Sequence, residues 1–333
     1  MKVVIAGGSG HLGTLLARAR CEAGDEVVVL SRTPRPASWR VVAWDARTLG
    51  PWAQELEGAG AVVNFAGRSV NCRYTPSNRR AIVDSRVEST RAIGEAVARA
   101  AIPPRLWLQT STATIYAHRY DVANDEASGI IGGSEPGVPE TWRFSIEVAR
   151  AWERAVDDAT VDGTRTVKLR SAIVMSPESG GPFDILLRLV RFGLGGSSGD
   201  GRQYVSWIHD ADFVRAIDWI VRNDALSGPV NLAAPNPLPN AAFMRELRRA
   251  WGIPVGLPSP GWMLEIGARL LGTETELVLK SRFVVPGKLA ADGFAFDFPS
   301  WGAAARDLCT RWRRARGAPP PDATSSRLPA AGR

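Results

Sequence analysis

Seven residues near the amino terminus, Gly7-Gly8-Ser9-Gly10-His11-Leu12-Gly13, read GGxGxxG between a β-branched run and an apolar-periodic one. Glycines at this spacing let a chain turn sharply and bring its backbone close to a pyrophosphate. The last of them lets a following helix pack on the preceding strand. That helix then presents free N–H groups and its positive end to the anion. The chemistry implied is dinucleotide binding. The end of the next apolar run distinguishes between dinucleotides. A free ribose 2′-hydroxyl is usually met there by Asp or Glu, but this chain reads Leu30-Ser31-Arg32-Thr33-Pro34. The Arg32 fork can pair with a 2′-phosphate, and Ser31 and Thr33 add hydroxyl donors. NADP(H) is therefore expected over NAD(H). Asp45, after the third run, either contacts the adenine amino group or caps a turn.

These residues need elements to hold them. Residues 2–6, 26–30, 41–43, 61–65, 106–109 and 165–170 read as strands. Residues 12–23, 79–101 and 140–158 read as helices. Strands alternating with helices at this spacing predict an α/β fold with βαβ crossovers and a parallel sheet. Ligands of such a sheet bind beyond the carboxyl ends of its strands. Those ends are Phe65-Ala66-Gly67, Thr110-Ser111-Thr112 and Arg170-Ser171. Beyond residue 175, glycine-rich and proline-rich turns with short helices predict a smaller lobe interleaved with late strands. The expected division is 1–175, joined by about 203–232, for the nucleotide unit. Residues 176–202 and 233–310 form the substrate lobe, and 311–333 a basic tail rich in Pro and Ala, disordered over 317–333.

The GGxGxxG start, Asn64-Phe65-Ala66-Gly67 and Ser111-Thr112-Ala113-Thr114-Ile115-Tyr116 resemble the extended short-chain dehydrogenase/reductase superfamily. Within it the chain resembles the atypical epimerase-like group that carries a characteristic C-terminal domain. The residues for that are Ser85-Arg86-Val87 with Thr90-Arg91, then Gly201-Arg202-Gln203-Tyr204-Val205-Ser206-Trp207-Ile208-His209. Ser227-Gly228-Pro229-Val230-Asn231 and Ala234-Pro235-Asn236-Pro237 complete the set. The resemblance spans residues 1–308. It implies a Rossmann-type doubly wound sheet, a nucleotide across its edge and a C-terminal lobe over a substrate cleft. It also implies cofactor contacts from Gly7 to Gly13, Ser31, Arg32, Asp45, Phe65, Ala66, Gly67, Arg86, Thr110 and Arg170.

The superfamily's catalytic set is Ser/Thr plus Tyr-x-x-x-Lys, in which Lys lowers the Tyr pKa toward working pH. Four residues after Tyr74, Tyr116, Tyr120 and Tyr204 stand Asn78, Tyr120, Asn124 and Ile208. None is Lys. Counting back from Glu153, Ser145 and Ala149 occupy the two slots. Thr112 matches the Ser/Thr position and either binds a substrate carbonyl or caps local backbone. Tyr116 is the stand-in proton donor or a structural residue; Glu126 and His209 are further acid/base candidates. Cys72, beside Arg73 and Arg86, is a reactive thiol or an inert one.

Three cysteines without CxxC spacing exclude a disulfide framework, and with three histidines they leave no expected metal site. The net charge is +7, of which +5 lies between Arg311 and the end, so residues 1–310 are nearly neutral. No nucleic-acid face follows. No apolar run is long enough to span a membrane, and no signal-peptide core precedes the first strand, so a cytoplasmic location is expected. A homodimer through the long helices after strands four and five is expected by analogy. Three functions fit: an NADP(H)-dependent oxidoreductase or epimerase-like enzyme for a small organic substrate, a non-catalytic NADP(H) sensor or scaffold, and a redox-neutral enzyme.

Overall fold

The computed structural model describes residues 1–159, 161–261, 264–265 and 274–317. Seven parallel strands form one sheet in the order β10-β6-β5-β4-β1-β2-β3. They are β1 (Lys2–Ala6), β2 (Glu26–Ser31), β3 (Arg40–Ala43), β4 (Ala61–Asn64), β5 (Leu106–Thr112), β6 (Arg165–Ser171) and β10 (Gly228–Leu232). Strand order reverses between β1 and β4, and that reversal opens a crevice at their carboxyl ends. Between β6 and β10 the chain forms β7 (Ile173–Met175), β8 (Tyr204–Val205) and β9 (Trp207–His209). β7 and β9 make a separate parallel pair.

Alternation along the strands builds two cores. Val3, Ile5, Val27, Val29, Ala61 and Val63 pack against α1 (His11–Glu22) and α5 (Asp210–Arg222). Val4, Ala6, Val28, Leu30, Val62 and Trp107 pack against α2 (Pro76–Arg99). α3 (Glu140–Asp157) lies beside α2. The sheet is thus covered on both faces, as parallel sheets must be. α2 starts at Pro76, earlier than the periodicity suggests. Thr75 accepts the Asn78 N–H as N-cap, and a proline at the first helical position costs no hydrogen bond.

A third core joins α4 (Pro182–Arg191), α6 (Asn240–Trp251) and the last described helix, Trp301–Ala315, through Phe183, Leu187, Phe243, Trp301 and Leu308. That helix corrects the expected start of the tail at 311. Arg311 pairs with Asp210 at 2.7 Å, Arg313 lies over the Trp251 ring, and Arg316 reaches Asp184 at 3.2 Å. Part of the basic excess is therefore spent inside the fold. Residues 318–333 lie outside the described residues. Among those described, no helix is long and apolar enough to cross a membrane.

Candidate functional site

The glycine turn leaves β1 with Gly7 at φ +74°, a backbone region that L side chains rarely adopt. A Cβ there would stand 2.7 Å from the Ala66 nitrogen. The turn therefore packs directly on the backbone that follows β4. Gly13 is tighter still, since its Cβ would fall 2.3 Å from the Gly8 Cα. Gly10 is the N-cap of α1, and no side chain caps that helix. Its first-turn N–H groups have no side-chain partner among the described residues.

A cavity of about 700 Å³ lies against this turn, with Gly7, Ser9, Gly10, Ser31, Arg32, Asp45, Phe65, Ala66 and Gly67 on its walls. Ser31 Oγ donates to Ser9 Oγ at 3.2 Å and accepts the Thr33 N–H, so the second strand end is fastened to the glycine turn. Arg32 is exposed at the rim, with no ion-pair partner among the described residues. Asp45 resolves as a turn cap on the cavity wall. It accepts the N–H groups of Arg47 and Thr48, each at 2.9 Å, and the Thr48 hydroxyl. The hydroxyl and those N–H groups hold its carboxyl down at about 2. Behind the cavity, Asn64 Oδ1 accepts the Ala66 N–H and fixes the Phe65-Ala66-Gly67 bend.

Other expected residues lie off the cavity walls. Gly8 is packed under Val29, Leu12 joins the core, and His11 turns to Glu178 at 3.3 Å. Thr110 lines neither this cavity nor the one described below. Arg170 is a correction. Its fork is held in two parallel bonds of 2.8 Å by Glu153, and its other terminal nitrogen donates to the Tyr116 hydroxyl at 2.9 Å. All three nitrogens are turned to partners inside the protein, and the buried side chain is off the walls of the larger cavity. Tyr116 is corrected for the same reason. Its ring is 2% exposed, and its hydroxyl donates to Asn231 at 2.9 Å. Burial pushes that hydroxyl up, which suits a structural bond and not proton transfer. Glu126 accepts the N–H groups of Asn231 and Lys288. His209 caps α5 by accepting the Ala211 N–H at Nδ1. Both are fasteners. Cys72 Sγ faces the Ser69 carbonyl at 3.9 Å.

Beside Gly67, past the Arg86 side chain, lies a second cavity of about 120 Å³. Its apolar walls include Val70, Ile82, Phe144, Val148 and Trp152, and its polar atoms come from Tyr74, Arg86, Thr112, Ser145, Glu276 and Arg282. Thr112 caps the short turn after β5 by accepting the Thr114 N–H and still borders the cavity. Ser145, in the slot where the superfamily has tyrosine, donates to Glu276 and sits 3.4 Å from the Tyr74 hydroxyl. Burial, then the Glu276 charge, pushes Tyr74 up to about 12. Arg86 lies over the Trp152 ring and donates to the Arg68 and Ile82 carbonyls, and burial pulls it down to about 10. Counting to the catalytic slot finds Ser145 in the sequence. Glu276 and Arg282 sit over 130 residues further on, where no periodic pattern marks them.

Lys280 is buried close by, with Nζ on the Thr114 carbonyl at 2.6 Å. Burial, with Arg282 adding to it, pulls the ammonium down to about 7, against the opposing pull of Glu276 and Glu135. Between about pH 7 and pH 10 the unfolded chain holds this proton and the folded chain does not, so stability rises with pH across that window. Lys280→Met should abolish that rise and stabilise the protein at neutral pH, read by denaturant unfolding at several pH values.

A model of the NAD dependent epimerase/dehydratase family matches residues 3–233. The chain belongs to that family. A domain of unknown function, DUF1731, matches residues 259–308 of this family member. The epimerase family protein SDR39U1 of Bos taurus is 30% identical over 313 residues, 92% of this chain and 99% of its own. The epimerase family protein YfhF of Bacillus subtilis is 29% identical over 301 residues, 90% and 94% of the two chains. The crystal structure of human SDR39U1 (isoform 2) with NADPH aligns at TM-score 0.81 and 28% identity, covering 93% of this chain and 99% of that one. A nucleoside-diphosphate sugar epimerase from Corynebacterium glutamicum aligns at 0.72 and 28% identity, covering 96% of this chain and 62% of its own.

Proposed function

We propose that the chain is an NADP(H)-binding oxidoreductase or epimerase-like enzyme for a small organic substrate. The observation that carries this is the 700 Å³ cavity, where an uncapped helix start, the backbone of Gly7 and Gly10 and Arg32, without an ion-pair partner among the described residues, converge. A dinucleotide fits this donor set: a Cβ at Gly7 or Gly13 would collide with backbone and force the turn apart, and no carboxylate stands at the end of β2 to meet a free ribose hydroxyl. Gly10 and the first turn of α1 would hold the pyrophosphate. Arg32, with Ser31 and Thr33, would hold the 2′-phosphate. The relative solved with NADPH supports the choice of cofactor.

When bound, the nicotinamide supplies or accepts a hydride. The chain's part is to orient a substrate in the 120 Å³ cavity and to manage its proton. That cavity suits a compact carbonyl or alcohol with an apolar body. The sensor reading is favoured by one feature, Ser145 and Ala149 in the slots of the superfamily's Tyr and Lys.

Fluorescence titration with NADPH and NADH, beside Arg32→Ala, tests the proposal. NADPH should bind tighter than NADH by about 10- to 100-fold, the worth of charge-assisted hydrogen bonds to a phosphate. Arg32→Ala should erase that preference while leaving NADH binding in place. Equal weak binding of both nucleotides, or none, overturns the reading. Tight NADPH binding with no oxidation by any carbonyl compound tried would select the sensor.

A further inference from the structure

One oxygen of Glu276 is unaccounted for. The side chain is 1% exposed and stands on the wall of the 120 Å³ cavity. Oε2 accepts the Ser145 hydroxyl, while Oε1 has no hydrogen-bond partner among the described residues. A buried carboxylate with a bare oxygen is costly, and a neutral carboxyl brings a donor that needs an acceptor. Either form wants a polar ligand atom in a cavity that is otherwise mostly apolar. The Arg282 guanidinium, 3.8 Å from Oε1, pairs with it in charge and offsets part of that cost, but it is too far to satisfy the oxygen with a hydrogen bond. Its donors reach Thr114 Oγ1 and the carbonyl oxygens of Glu276 and Lys280.

We propose that Glu276 is the acid/base residue of this cavity, exchanging a proton with the carbonyl or hydroxyl oxygen of the substrate, with Ser145 and Tyr74 as the relay behind it. The proposal rests on the oxidoreductase reading above and supplies the group that the missing Tyr-x-x-x-Lys leaves open. Glu276 falls within the stretch matched as a domain of unknown function. That region would then contribute a reacting group as well as a cover.

The proton balance is simple. In carbonyl reduction the O–H bond at Oε1 breaks and an O–H bond forms at the substrate oxygen. The electron pair stays on the carboxylate. A reduced nicotinamide would supply the two electrons as hydride and be oxidised; a C–H bond forms at the carbonyl carbon, and the C=O π pair moves to the oxygen that takes the Glu276 proton. Oxidation of an alcohol reverses each step. Burial pushes the Glu276 carboxyl up. Arg282, the Ser145 hydroxyl, Lys280 and Tyr74 pull the other way without cancelling it. A carboxyl raised above its ordinary range is better suited to give and retake a proton. Tyr74 keeps its proton at that pH and can only pass one along.

Infrared difference spectra of the full chain with NADPH, wild type minus Glu276→Gln, read this carboxyl directly. Benzaldehyde serves as the probe because the cavity admits little more than one ring. The expected result is a protonated-carboxyl C=O band near neutral pH that is lost in the variant and shifts when benzaldehyde is added. Ser145→Ala should move that band without removing it. Circular dichroism establishes that each variant is folded. Absence of the band near neutral pH overturns the proposal, because Glu276 is then an ionised partner of Arg282. A band that benzaldehyde leaves unmoved also overturns it, because Glu276 is then a buried structural acid. Failure of the wild type to bind NADPH overturns the oxidoreductase reading instead. In that case the same band, followed in the nucleotide-free protein with and without benzaldehyde, decides the role of Glu276.

Discussion

Replacing Glu153 with leucine should lower the unfolding free energy by about 3–5 kcal/mol. Arg170 is buried against Glu153 through two bonds of 2.8 Å, and Ser111 donates to the same carboxylate at 2.7 Å. Burial alone would push the Glu153 carboxyl up. The bonds and charge of Arg170, with the Ser111 hydroxyl, more than offset it, and the carboxyl ends below its usual range. Removing it strands a guanidinium under β5 and β6, still tied only to the Tyr116 hydroxyl. Thermal and denaturant unfolding measure the loss, which corresponds to a drop in Tm of roughly 10 °C. The double replacement Glu153→Leu with Arg170→Met should recover most of it, because an apolar pair of similar volume leaves no buried charge. A single variant as stable as the wild type would mean that water reaches Arg170. Acid should act in the same direction. The depressed carboxyl contributes stability above its unfolded pKa, and that contribution is lost as pH falls through its folded value.

Gly13→Ala should cut NADPH affinity at least about tenfold and destabilise the fold by roughly 1–3 kcal/mol. In an ordinary helix interior the same change stabilises by roughly 0.5–1 kcal/mol, so the expected sign is reversed. The reason is contact with backbone. The new Cβ would lie 2.3 Å from the Gly8 Cα and 2.9 Å from the Gly7 oxygen. Neither can rotate away as a side chain would. α1 must lift off the turn, and the proposed pyrophosphate site lifts with it. Fluorescence titration and chemical unfolding check the two parts separately. Unchanged NADPH affinity would show that the turn and the cofactor are not coupled.

How much of this was legible in the residues depended on distance along the chain. Gly7 to Gly13, Ser31, Arg32 and Phe65-Ala66-Gly67 are readable because the turn, the strand end and the bend are each local, and a parallel sheet fixes where strand ends meet. The strands themselves announce themselves as β-branched runs, buried on both faces. Arg170 and Tyr116 misled because position at a strand end was read as access to the crevice. Their side chains point into the packing between β5, β6 and α3, where Glu153 and Asn231 complete their bonds. Asp45 was legible as one of two roles; the N–H groups of Arg47 and Thr48 show it capping a turn, and it also stands on the wall of the larger cavity. Glu276 was not legible. Its role depends on Ser145 and Tyr74, which lie 131 and 202 residues earlier in the sequence, and no spacing rule connects them.

The stretch from Glu274 to Arg282 is stitched to far earlier parts of the chain. Glu274 accepts the Tyr74 N–H at 2.8 Å, Lys280 holds the Thr114 carbonyl, and Ser281 donates from its N–H to His118 Nδ1 at 2.7 Å. The larger cavity, by contrast, is lined by residues between 7 and 88. The two cavities therefore have different birthdays during synthesis. Residues of the larger cavity meet early and at short range, whereas the small cavity has no outer wall until some two hundred further residues have left the ribosome. Closures across such sequence separations are slow, and surfaces that await them stay exposed. Until residue 282 arrives, Tyr74, Phe144 and Trp152 form an open aromatic face, which makes the nascent chain sticky at the place where the finished protein is proposed to react.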